Sequence, residues 1–104
     1  MTVPKVLDAA ALETELQSLD GWSVVDGKLH KQYVFEDFVQ AFGFMSSAAL
    51  LAERSGHHPE WSNVYKFVRV DLVTHDAGGI TSFDVELARE FDQAARLSSP
   101  KSIP

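Results

Sequence analysis

From Glu36 to Arg54 the sequence reads as one long helix, and its apolar residues are too many for a single buried face. Phe38, Ala41, Phe42, Met45, Ala48, Ala49 and Ala52 follow the three-and-four spacing of a core-facing stripe. Val39, Phe44, Leu50 and Leu51 fall largely outside that stripe. A helix apolar over so much of its circumference buries more than one face. A chain of 104 residues has few partners left for the second face, so an oligomer contact is expected there. The alternative is that the first or last helix covers it.

The segments around this helix alternate between the two periods of regular structure. Asp8 is a suitable N-cap for a first helix over about Ala9 to Leu19, with Leu12, Leu16 and Leu19 on one face. Asp20-Gly21 ends it, Gly21 suiting a left-handed position. Trp22 to Val25 and Leu29 to Val34 flank Asp26-Gly27, a dipeptide favoured in tight hairpin turns. Beyond the long helix, Asn63 to His75 reads as strand, with a possible break near Lys66. There Val68, Val70 and Leu72 alternate with Arg69, Asp71 and Val73, which places His75 on the face away from the core. Thr81 or Ser82 caps a last helix to about Leu97, with Phe83, Leu87, Phe91, Ala94 and Ala95 as its buried stripe. A frayed tail is expected over 98–104.

The order α-β-β-α-β-β-α predicts an α+β domain, a four-stranded antiparallel sheet with three helices packed on one face. One domain over 1–104 suits this length. No apolar run approaches the roughly 20 residues that span a bilayer. The start, Met1-Thr2-Val3-Pro4-Lys5, lacks the marks of a signal or transit peptide. With no cysteine there is no disulfide framework, thiolate nucleophile or Cys-based metal site. A cytoplasmic protein is the simplest reading, nuclear as well if the source is eukaryotic. The net charge of −6, with nine scattered basic residues, argues against direct nucleic-acid binding.

Chemistry concentrates just after the long helix, in Glu53-Arg54-Ser55-Gly56-His57-His58-Pro59-Glu60-Trp61. Pro59 disfavours helical geometry at His58, and neighbours on an extended backbone point to opposite sides. Imidazole, with an unperturbed pKa of about 6.5, is the default proton carrier near neutrality. His75 and Asp84 follow downstream. Each residue also has a plainer reading. His57 and His58 can be solvated loop residues, and His75 can simply end a strand. Asp84, three residues beyond Thr81, can complete a helix-capping interaction. Trp61 and Tyr65 fit core aromatics, and the core reading is taken for Tyr65. Glu60 reads as a solvated acid and His30 as structural.

Taken together, Glu53, His57-His58-Pro59-Glu60-Trp61, Asn63-Val64-Tyr65, Thr74-His75 and Asp84 resemble the signature of the pterin-4a-carbinolamine dehydratase family. Gly21-Trp22, Phe35-Glu36-Asp37-Phe38 and Ala41-Phe42-Gly43-Phe44-Met45 match its pattern in the same order. The family is also known as the dimerization cofactor of a homeodomain transcription factor. The resemblance implies a four-stranded sheet with three helices, assembled through sheet edges into homodimers and through helices into homotetramers. It implies a pterin substrate, the 4a-hydroxytetrahydropterin left by aromatic amino acid hydroxylases. Dehydration then needs an acid for the C4a hydroxyl and a base for the N5 proton, and no metal or redox cofactor.

By the same resemblance His57 and His75 are the acid/base pair and His58 positions the substrate. Asp84 holds an imidazole available as an acid, and Glu53 receives a pterin N–H or orients a histidine. Pro59, Trp61 and Thr74 are expected to line the substrate site. A zinc site is not expected, because adjacent His57 and His58 are poorly placed to share one ion and the spacing fits no known zinc pattern. Two further readings remain beside the enzyme. One is a transcriptional coactivator acting through protein contacts of the long helix and sheet edge. The other is a related activity on another pterin, such as a molybdopterin-like compound.

Overall fold

The computed structural model describes residues 3–98. Asp8 opens the first helix, α1 (Ala9–Leu16), by accepting the Ala11 amide at 2.8 Å. The helix stops a turn earlier than its leucine spacing predicts. Residues 17–21 instead turn to place Leu19 in the core at 1% exposure, with Gly21 in the left-handed region at φ 83°. The hairpin forms as expected from β1 (Ser23–Val25) and β2 (Lys28–Val34). Asp26 at φ 53° and Gly27 at φ 76° supply the two left-handed residues of its turn.

The long helix, α2 (Phe38–Ser55), starts two residues later than its expected Glu36, because Asp37 rather than an earlier residue caps it through the Gln40 amide. Gly56, at φ 67°, takes the left-handed C-terminal position and turns the chain out of the helix. Then follow β3 (Glu60–Val64), β4 (Phe67–Leu72) and α3 (Ser82–Leu97). Thr81 caps α3 and Ser98 closes it; the rest of the expected tail, 99–104, lies outside the described residues. The predicted break near Lys66 is a tight turn at Tyr65 and Lys66. Tyr65 is not a core aromatic: it sits in that turn at φ 53° and is 57% exposed.

The four strands form one antiparallel sheet in the order β1-β2-β4-β3. Its register pairs Leu29 with Leu72, Tyr33 with Val68 and Trp61 with Val70. Period-two alternation puts these side chains on the helix-covered face. His30, Asp71 and Glu60 form a neighbouring row on the open face. The fold is therefore the expected α+β layer, helices on one side of the sheet.

The stripe assigned to α2 needs correction. Ala41, Phe44, Ala48 and Ala52 are the buried residues, whereas Phe38 and Phe42 are exposed and tilt against each other at 5.9 Å. Phe44 wins the core position because Tyr33 and Phe35 from the end of β2 meet it, at ring distances of 4.6 and 5.2 Å, and Phe91 of α3 meets it edge-on. Small alanines on the rest of that stripe let α2 approach α3 and the sheet. The outward face keeps Phe38, Val39, Phe42 and Leu50 in solvent, so neither α1 nor α3 covers it.

Candidate active site

Gly56 is the local device that aims the histidine loop. Its left-handed turn ends α2, and the His57 amide is anchored to the Ala52 carbonyl at 3.1 Å. The His57 ring then reaches the N-terminus of α3, where Nε2 lies 2.5 Å from Asp84 Oδ1. Asp84 is fully buried. Its second oxygen accepts the Thr81 amide at 2.8 Å and the Thr74 hydroxyl at 2.9 Å. Thr81 in turn bonds the Thr74 oxygen at 2.7 Å and accepts the Phe83 amide. Asp84 thus serves both as the capping-box acid of α3 and as the partner of an imidazole.

A carboxylate out of water is costly unless donors surround it. Here three donors converge on Asp84, and the positive end of α3 adds to them. An ionised carboxylate only accepts, so Nε2 of His57 must be the protonated nitrogen. That leaves Nδ1 as the ring's uncommitted nitrogen. The imidazole is 14% exposed and sits beside the Phe83 ring at 6.1 Å. A cavity of about 190 Å³ lies against it, lined by Ser55, His57, Phe83, Glu86, Leu87 and Glu90.

The other two motif histidines follow the same rule on the surface. His58 Nε2 meets Glu53 at 2.9 Å, with both side chains largely exposed. His75 Nε2 meets Glu60 at 3.0 Å, and the other Glu60 oxygen accepts Lys28 at 2.6 Å. The Lys28 hydrogen bond holds the Glu60 carboxyl below the usual carboxylate range, with a smaller contribution from His75. Glu60 in return holds the Lys28 ammonium above its ordinary value. Each motif histidine therefore turns Nε2 to a carboxylate and keeps Nδ1 uncommitted among the described residues.

The expected residues do not all share one cavity. The pocket beside His57 contains none of His58, Pro59, Trp61 or His75. Trp61 lies on the helix side of the sheet, stacked on Phe91 at 6.2 Å, and Pro59 is half-buried ahead of it. Thr74, expected to touch the ligand, is 6% exposed with its hydroxyl bound to Asp84 and Thr81, so it stands behind His57. It also links His57 to His75, since it bonds the carboxylate of His57 and immediately precedes His75 in the chain.

Sequence reasoning missed Glu60 and Lys28. Glu60 is the exposed acid that the sequence predicts, and it also holds His75. The available signal was parity: Glu60 shares the open face with Asp71, the face to which His75 was assigned. His30 pairs with Asp71 across the strands at 2.8 Å. Among the described residues no group of three or more His, Asp or Glu side chains could hold a metal ion.

A larger cavity, about 730 Å³, lies at the opposite end and is lined by none of the histidines. There Asp92 accepts from Trp22, Lys31 and Tyr33 at 2.6 to 3.1 Å. These contacts tie β2 to α3 as a structural node, and the site follows the histidines rather than cavity size.

Residues 5–94 match the family model described as pterin 4 alpha carbinolamine dehydratase. A relative from Solibacter usitatus (strain Ellin6076), provisionally named pterin-4-alpha-carbinolamine dehydratase, is 52% identical over 86% of this chain and 94% of its own. A relative from Bradyrhizobium sp. (strain ORS 278), under the same provisional name, is 50% identical over 89% of this chain and 95% of its own. A crystal structure described as a transcriptional coactivator/pterin dehydratase from Brucella melitensis superposes with a TM-score of 0.84. It is 43% identical and covers 88% of this chain and 99% of its own. A pterin dehydratase-like RuBisCO assembly factor of the alpha-carboxysome, 23% identical with a TM-score of 0.60 over 71% of this chain and 86% of its own, shares the fold.

Proposed function

The chain belongs to the pterin 4 alpha carbinolamine dehydratase family, and we propose that it is a hydro-lyase converting a 4a-hydroxytetrahydropterin to the quinonoid dihydropterin. Such a step recycles the tetrahydropterin, tetrahydrobiopterin where that is the cofactor, for aromatic hydroxylation. The observation that carries this reading is the His57–Asp84 pair: an accessible imidazole backed by a fully buried carboxylate and placed beside a cavity.

In the reaction the C4a–O bond breaks and the N5–H bond breaks, while C4a=N5 forms. The hydroxyl departs as water after accepting a proton, and the N5 proton passes to a base. His57 and His75 are assigned to these two transfers, each through Nδ1. One ring begins protonated and the other neutral, so one turnover exchanges their states and solvent resets them. The two can trade roles for the two faces at C4a. His58, held by Glu53, positions the pterin, with Pro59 and Trp61 as apolar walls of the site. Asp84 positions His57, and Thr74 steadies Asp84. No metal or redox cofactor has a part in these steps.

The test is the loss of water from each C4a epimer of freshly generated substrate, followed by absorbance. His57→Ala and His75→Ala should each lose about 10²-fold or more in kcat, with opposite severity on the two epimers. Equal, small losses on both epimers would remove the assignment of proton carriers.

A second reading is supported by the exposed apolar face of α2, with Val39 77% and Leu50 74% exposed. Such a face suits assembly with further copies, as homodimers or homotetramers, or with a transcription-factor partner in a coactivator role. Replacing both histidines would leave an interaction role intact and remove dehydration. The acidic charge, −6, weighs against direct nucleic-acid binding in either case. Among the described residues no helix is long and apolar enough to cross a membrane, and action in the cytoplasm is the setting we propose.

A further inference from the structure

Glu60 and Asp71 stand directly opposite each other on neighbouring strands, both on the open face of the sheet. Two like charges in such a cross-strand pair repel unless each has its own counter-group. Asp71 has His30, from β2, at 2.8 Å. Glu60 has two separate donors, one on each oxygen: Lys28 of β2 at 2.6 Å and His75 at 3.0 Å. Asp26, in the hairpin turn, adds its negative charge to the field around Lys28. Each oxygen of the carboxylate thus has its own donor.

We propose that Glu60, clamped by Lys28, is the positioning residue that fixes the tautomer of His75. An ionised Glu60 only accepts, so it requires the proton on Nε2 of His75 and leaves the Nδ1 lone pair for chemistry. Lys28 only donates, so it requires an acceptor at the oxygen it holds. The same arrangement, with Asp84 in place of Glu60 and the Thr81 amide and Thr74 hydroxyl in place of Lys28, fixes His57. The two proton carriers are thus prepared alike, one by a buried carboxylate and one by an exposed carboxylate pinned from across the sheet. The kinetic side of this inference rests on the dehydratase reading; the tautomer itself does not.

The clamp makes glutamine a worse replacement than alanine. In Glu60→Gln, Lys28 takes the single amide oxygen and the NH₂ group is turned to His75. That NH₂ group donates to Nε2, which favours the tautomer with the proton on Nδ1. Glu60→Ala leaves the ring free to choose. Adding Lys28→Met to Glu60→Gln releases the amide to turn over and accept from Nε2 again.

Nitrogen NMR of histidine-labelled protein, with the His75 signals identified by their loss in His75→Ala, reads this switch without substrate. The expected result is Nε2–H in wild type, Nδ1–H in Glu60→Gln, and Nε2–H restored in the Lys28→Met/Glu60→Gln double variant. An unchanged tautomer in Glu60→Gln, or one that Lys28→Met does not restore, overturns the inference. In the dehydration assay kcat should fall about 10²-fold for Glu60→Gln and about tenfold for Glu60→Ala, with the double variant recovering about tenfold. A Glu60→Gln enzyme as active as Glu60→Ala overturns the link to catalysis. If the tautomer switches as described but wild type never beats the spontaneous rate, the dehydratase reading fails and the role of Glu60 stands.

Discussion

Asp84 shows how much one side chain is asked to do at the N-terminus of α3. Its carboxylate caps the helix, takes the Thr74 hydroxyl and holds Nε2 of His57. In Asp84→Asn the Thr81 amide and Thr74 hydroxyl still need an oxygen, so the amide NH₂ must face His57. That reverses the tautomer of the ring while leaving its shape and the helix cap in place. The expected outcome is a kcat loss of about 10²- to 10⁴-fold with KM within a few-fold, measured in the dehydration assay. A loss confined to KM would place Asp84 in substrate binding instead. At the other end of the molecule, burial and the Asp92 hydrogen bond push the Tyr33 phenol above its ordinary value of 10.0. A folded-state pKa raised above the unfolded one gives stability that is complete below the unfolded pKa and lost as pH rises beyond it. The Tm of wild type should therefore fall more steeply than that of Tyr33→Phe above pH 10, and parallel curves would mean that the phenol carries no such linkage.

Thr81 and Gly56 carry the corresponding argument for the elements. Thr81→Ala removes the cap of α3, worth about 0.5–2 kcal/mol, and strips a partner from the buried Thr74 hydroxyl. The loss should fall at the upper end of that range in urea unfolding, with Thr81→Ser retaining most of the stability. Gly56→Ala forces a side chain into a left-handed turn at about 1 kcal/mol, at the residue that aims His57. The Asp26-Gly27 hairpin, the Asp8 and Thr81 caps and the strand-helix order were legible because each rests on local chemistry. The α2 stripe was not. With apolar residues on both faces, spacing alone could not choose between Phe42 and Phe44; contact with Tyr33 and Phe35 decided it. Tyr65 gave no sign of its turn, since an aromatic residue at φ 53° has no sequence mark comparable to Asn or Gly. In the site, Asp84 was readable as the partner of an imidazole, but that the imidazole is His57 came only with the fold. The Glu60 clamp needed the register, which brings Lys28 across the sheet.

The whole molecule presents two unequal faces, a charged open sheet and an apolar helix surface. Phe38, Val39, Phe42 and Leu50 lie exposed along the second, at about 1.5–3 kcal/mol for each large side chain that an assembly would bury. Leu50→Glu should shift the protein to a smaller species in light scattering at micromolar concentration, with the rate per chain largely kept if each site is complete in one subunit. A wild type that is already monomeric at those concentrations would leave this face without a partner of its own kind. The chemistry we propose would reach from the open face to the helix side. His75 is held on the first by Glu60 and His57 on the second by Asp84, with Thr74 between them.

That placement makes catalysis by two separately prepared imidazoles the decisive claim. Stopped-flow absorbance of freshly generated 4a-hydroxytetrahydropterin can follow its dehydration with wild type, with the His57→Ala/His75→Ala double variant and with buffer alone. The expected result is a wild-type rate at least 10²-fold above buffer and a folded double variant indistinguishable from buffer. A wild type no faster than buffer, or a double variant that keeps the wild-type rate, would contradict it.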